Sequence, residues 1–90
     1  MGPHGATVRK LFSRQGATRV RVFGSVARGD AGPNSDVDFL VSFRQPLGLL
    51  GKEELREKLE RLLGRPVDLV TEAGIHWYIR PEVVAESVDL

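Results

Sequence analysis

Val20-Arg21-Val22-Phe23-Gly24-Ser25-Val26-Ala27-Arg28-Gly29, followed closely by Ser35-Asp36-Val37-Asp38-Phe39-Leu40-Val41, is the stretch that decides the fold. Residues 18–23 alternate, with Val20 and Val22 on one side and Arg19 and Arg21 on the other, which predicts a strand. Gly24 and Ser25 turn the chain out of it. The next residues suffice for one short helical turn, closed by Gly29. Residues 30–35 are turn-rich, and residues 36–43 predict a second strand. Strand alternation then sets Asp36 and Asp38 on one face. At about 4 Å and an effective dielectric near 20, two such charges repel by roughly 4 kcal/mol, so the pair invites a cation. Carboxylate oxygens of this kind suit Mg²⁺, which is typically held by one or two carboxylates plus substrate phosphates. The Gly24-Ser25 turn offers backbone N–H groups and a hydroxyl to a phosphate. Arg28 is placed to reach the same phosphates with its fork of donors. Together these residues point to metal-assisted phosphate chemistry.

Outward from this centre, Val8, Leu11 and Phe12 fall at helical spacing in residues 7–15, and Gly16 ends the run. Residues 45–51 predict a loop containing Gly48 and Gly51. Residues 52–63 give the clearest helix: Leu55, Leu59, Leu62 and Leu63 form one stripe, with Gly64 at its C-terminal cap. Its charged residues, Glu53 to Glu60, predict a solvated face. Residues 67–70 predict a short strand. The order of residues 74–80 stays open. Pro81 opens a final helix over 81–87, and residues 88–90 add a short strand or fray. Helix, strand, strand, helix, strand, helix predicts an α+β (α/β-like) fold, a small mixed sheet with helices packed on one face.

Ninety residues predict one domain with a single modest core. Thirteen basic against twelve acidic residues leave a net charge of +1, which argues against a nucleic-acid coat or a polybasic membrane anchor. Without cysteine there is no disulfide, zinc–thiolate or thiol-nucleophile chemistry. No apolar run approaches the roughly 20 residues of a membrane span, and the N-terminus lacks the apolar core of a signal peptide. The expected compartment is the cytoplasm.

Each feature has a plainer reading. Asn34-Ser35-Asp36 is ordinary turn chemistry. Gly24-Ser25 alone is a strand-ending turn, and Arg28 alone a solvated arginine. Asp68, between Val67 and Leu69, fits the exposed face of an edge strand. If that strand pairs beside residues 36–43, however, Asp36, Asp38 and Asp68 can converge. Two metal ions in an in-line displacement at phosphorus need bridging carboxylates of this kind. His4 sits near the terminus. His76 precedes Trp77-Tyr78-Ile79, an apolar patch suited to core or interface.

The spaced pattern Gly24-Ser25, Asp36-x-Asp38 and a later Asp68 resembles the signature of the DNA polymerase β-like nucleotidyltransferase superfamily. The local wording Gly24-Ser25-Val26-Ala27-Arg28-Gly29 and Ser35-Asp36-Val37-Asp38-Phe39-Leu40 is similar to the minimal nucleotidyltransferases, and the resemblance covers nearly the whole chain. It implies a catalytic palm and transfer of a nucleoside monophosphate from ATP to a hydroxyl. It implies that Asp36 and Asp38 hold two Mg²⁺ ions. Asp68 would be the third carboxylate, a metal ligand and an activator of the attacking hydroxyl. Gly24 and Ser25 would hold the β- and γ-phosphates. The family further implies an antitoxin that adenylylates a tyrosine on a HEPN-domain toxin. Two other expectations stand beside it: a binding module that neutralises a partner by occlusion, and a transferase acting on a small molecule such as an aminoglycoside.

Overall fold

The computed structural model describes residues 4–29, 32, 35–71, 74 and 80–90. Its elements are α1 (Gly5–Arg14), β1 (Ala17–Phe23), α2 (Gly24–Arg28), β2 (Val37–Phe43), α3 (Leu49–Leu63), β3 (Val67–Thr71), α4 (Arg80–Glu86) and β4 (Val88–Asp89). The strands form one mixed sheet in the order β3-β2-β1-β4. β1 and β2 are antiparallel, as their short connection through α2 allows. β2 and β3 are parallel, with α3 as the crossover between them. The 74–80 stretch, including Trp77 and Tyr78, lies outside the described residues apart from Gly74 and the backbone of Arg80.

The core forms where the helical stripes meet one face of the sheet. Val8 and Phe12 of α1, with Leu55 and Leu59 of α3, bury themselves against Val22, Val37, Phe39, Val41, Val67 and Leu69. The Phe12 and Phe39 rings meet edge-on, 5.1 Å apart, an arrangement aromatic quadrupoles favour. Val37, Phe39 and Val41 alternate with Asp38, Leu40 and Ser42, so the core face and the carboxylate face are opposite sides of one strand. That opposite face is not simply solvated. Leu40 and Arg21, which pair across β1 and β2, are both buried there.

Several boundaries shift by one to three residues from the sequence reading, those of α3 and β2 among them. α3 begins at Leu49, three residues before the expected start. Gly48 is its extended N-cap, and the Lys52 N–H donates to the Gly48 carbonyl over 2.9 Å to close the first turn. The sequence hides this start because no side chain caps it and because Leu49 and Leu50 point outward, leaving the apolar stripe to begin later. β2 begins at Val37, which leaves Asp36 just ahead of the strand.

The difference between stripe and rim is measurable. Leu59→Ala should lower the unfolding free energy by about 2–5 kcal/mol, as expected for a closed core site. Leu50→Ala, at a residue 80% exposed, should stay within about 0.5 kcal/mol. Urea titration of both variants checks the pair.

Candidate active site

The parallel register of β2 and β3 sets Asp38 directly beside Asp68. Both side chains therefore leave the sheet on the same face, away from the core. Asp68 is exposed and Asp38 half-buried. Asp36, two residues upstream, is exposed at the same end of the strand. On the other side of β2, the antiparallel ladder sets Phe23 beside Asp38, so β1 ends and α2 begins against that carboxylate.

Gly24 makes this approach possible. Its φ of +73° is a left-handed conformation, and a Cβ there would collide with Asp38 Oδ2. Any larger residue at this position of the motif would therefore displace the carboxylate of the same motif. Ser25 follows in the first turn of α2, where backbone N–H groups lack intrahelical acceptors. Gly29, at φ +77°, closes the turn as expected.

The electrostatics follow from this crowding. Burial pushes the Asp38 carboxyl above its ordinary value. The charges of Asp68 and then Asp36 push it further, Arg28 pulls it back, and Glu86 adds a smaller push upward. Asp68 therefore acts on Asp38 more strongly than Asp36 does. Among the described residues, no three acidic or histidine side chains are drawn tightly enough together to form a ready metal cage. The three aspartates share one end of the sheet, and like-charge repulsion opposes closer approach. Their all-oxygen donor set and this repulsion, which Arg28 only partly offsets, fit a divalent cation, which would offset both burial and repulsion.

Arg28 occupies the expected end of α2 but is engaged by an ion pair with Glu86 of α4. Sequence reasoning did not single out Glu86, because its signal is the packing of α4 against α2. Glu60 was expected on the solvated face of α3, yet its Oε2 accepts the Val67 N–H over 2.9 Å at the start of β3. Its Oε1 lies 2.9 Å from Arg56 Nη1. The solvated-face expectation fails there because β3 begins directly beneath that turn of the helix.

A palm-like mixed sheet carrying paired carboxylates beside a glycine turn defines a class of phosphate-transferring enzymes. The chain belongs to the nucleotidyltransferase domain family, which residues 6–90 match. It is 44% identical over 80 residues to the protein adenylyltransferase MntA of Thermococcus cleftensis, covering 89% of this chain and 81% of that protein. The solved structure of a candidate minimal nucleotidyltransferase superposes with a TM-score of 0.84 at 47% identity, over 94% of this chain and 87% of the other. A toxin–antitoxin structure with AMP-PNP also matches, with a TM-score of 0.84 at 27% identity, over 93% of this chain and 69% of that one. No helix among the described residues is long and apolar enough to cross a membrane.

Proposed function

We propose that this nucleotidyltransferase moves AMP from ATP to a hydroxyl, a tyrosine by the family resemblance, on a HEPN-type toxin partner, and so acts as its antitoxin in the cytoplasm. The observation that carries the reading is the pairing of Asp38 with Asp68 across β2 and β3, with Gly24 packed against Asp38. The adenylyltransferase relative and the toxin–antitoxin structure with AMP-PNP support ATP as the donor and a toxin as the kind of partner. In this reading the described residues form one domain that supplies the donor half of the reaction. The partner supplies the acceptor.

Asp36, Asp38 and Asp68 would hold two Mg²⁺ ions. When bound, the ions would supply charge neutralisation at the phosphates and at the attacking and leaving oxygens. The chain's own groups divide the remaining work. Gly24 and Ser25 present N–H groups and a hydroxyl to the β- and γ-phosphates. Arg28, held through Glu86, adds donors beside the same phosphates. The acceptor oxygen forms its bond to the α-phosphorus as the bond from that phosphorus to pyrophosphate breaks. Asp68, the more exposed of the paired carboxylates, takes the hydroxyl proton. Pyrophosphate leaves with the electron pair.

The test is incubation of the chain with α-labelled ATP, Mg²⁺ and its toxin. Label on the partner, lost with Asp68→Asn, is the expected result; an unlabelled partner overturns the reading. Arg28→Ala should raise the KM for ATP about tenfold with a smaller change in kcat, in line with the loss of one charged contact. Occlusion is the alternative outcome. A carboxylate variant that still neutralises the toxin fully would establish it.

A further inference from the structure

We propose that Glu60 of α3 is a positioning residue for the carboxylate set, acting through the corner at Pro66–Val67. This inference rests on the two-metal reading of Asp36, Asp38 and Asp68.

Two backbone N–H groups hold the corner. The Val37 N–H donates to the Pro66 carbonyl over 2.9 Å. The next residue, Val67, donates its own N–H to Glu60 Oε2 over 2.9 Å. Val37 lies between Asp36 and Asp38, and Val67 directly precedes Asp68. Both bonds are therefore made by backbone adjacent to the three aspartates. Pro66 has no N–H to offer at this corner, so the chain has few other ways to fix its path. Arg65 adds a third hold from the same turn, donating from Nη2 to the Gly32 carbonyl over 2.9 Å.

Glu60 itself is not loose. Arg56, one helical turn before it, holds its other oxygen at 2.9 Å and also bonds Glu53. The carboxylate is thereby aimed at β3 from a well-packed helix whose neighbouring Leu59 is fully buried. Glu60 thus carries the placement of α3 into the register between Asp38 and Asp68. Among the described residues Asp68 is on an edge strand, paired on one side only, so its position depends on this corner more than Asp38 does.

The experiment titrates Mn²⁺ into the full chain with a non-hydrolysable ATP analogue, with bound metal read by electron paramagnetic resonance. Melting temperature is followed in parallel. Glu60→Ala should weaken Mn²⁺ binding about tenfold, the lower end of the effect of losing a supporting contact around a metal site. Glu60→Gln keeps an oxygen acceptor for the Val67 N–H and should remain within about twofold of the parent, although it loses the charge facing Arg56. Binding by the alanine variant equal to the parent's overturns the positioning role while leaving the two-metal reading intact. So does a glutamine variant as weak as alanine, which would make charge rather than the bond decisive. A parent chain that binds no Mn²⁺ with the analogue overturns the two-metal reading, and this inference with it.

Discussion

Asp38→Asn should abolish transfer while leaving the protein folded, and without divalent cations the variant should be as stable as the parent or more so. Asp38 is the carboxylate with neighbours on both sides, Phe23 and the glycine turn across one ladder and Asp68 across the other. Removing its charge takes away several kcal/mol of stabilisation at the phosphates, roughly 10³-fold or more in rate. The stability effect has the opposite sign. The folded carboxyl is raised above its ordinary 3.8 by burial, by Asp68 and by Asp36. A raised folded pKa means that the fold favours the protonated form. The stabilisation from protonating Asp38 is therefore fully present below the unfolded value of 3.8 and is lost as pH rises through the higher folded value. Denaturation from pH 3.5 to 7 without metal should show this component in the parent and not in the asparagine variant. Mg²⁺ with nucleotide should raise the melting temperature of the parent well above that of the variant. Equal ligand-induced shifts in both proteins would remove Asp38 from the metal site.

Gly24→Ala should cost both stability and activity, and the second loss should exceed what the first explains. Alanine at φ +73° carries roughly 1–2 kcal/mol of backbone strain. Gly29 provides the control. Its φ of +77° imposes a similar strain on alanine, but a Cβ there meets nothing within 4 Å. At Gly24 the new methyl collides with Asp38 Oδ2, so the carboxylate must retreat by about 1 Å. A displacement of that size can cost about 10²-fold in rate. The two alanine variants should therefore unfold at similar denaturant concentrations, while only Gly24→Ala loses about 10²-fold in kcat. Matching activities in the two variants would show that the contact with Asp38 has no catalytic role.

The order of elements was legible because it rests on local pattern. Alternation in residues 18–23, the leucine stripe of α3 and the glycines at 29 and 64 each mark an element through its own residues. The aspartates were legible as candidates for the same reason, since charge at the head of an apolar strand needs an explanation. Their pairing was conditional. No local signal in residues 67–70 specifies a parallel partner, and only the packing of Val67 and Leu69 into the shared core sets Asp68 beside Asp38. Glu60 and Glu86 were hidden because a surface glutamate and one that binds a distant backbone or arginine look alike in sequence. The start of α3 was hidden because its first turn buries nothing to make a pattern.

The β2–β3 register has a consequence for how the chain tolerates changes in length. Side chains on a strand alternate, so moving β3 by one residue would turn Asp68 toward the helices and expose Val67 and Leu69. Core and chemistry would fail together. The connection from Gly64 to Val67 must therefore keep its number of residues. The run from Arg44 to Gly48 leaves the opposite end of β2 and is largely exposed, so it can lengthen or shorten without disturbing any aspartate. Variation in loop length among chains built on this plan should collect at that far end and spare the connection entering β3.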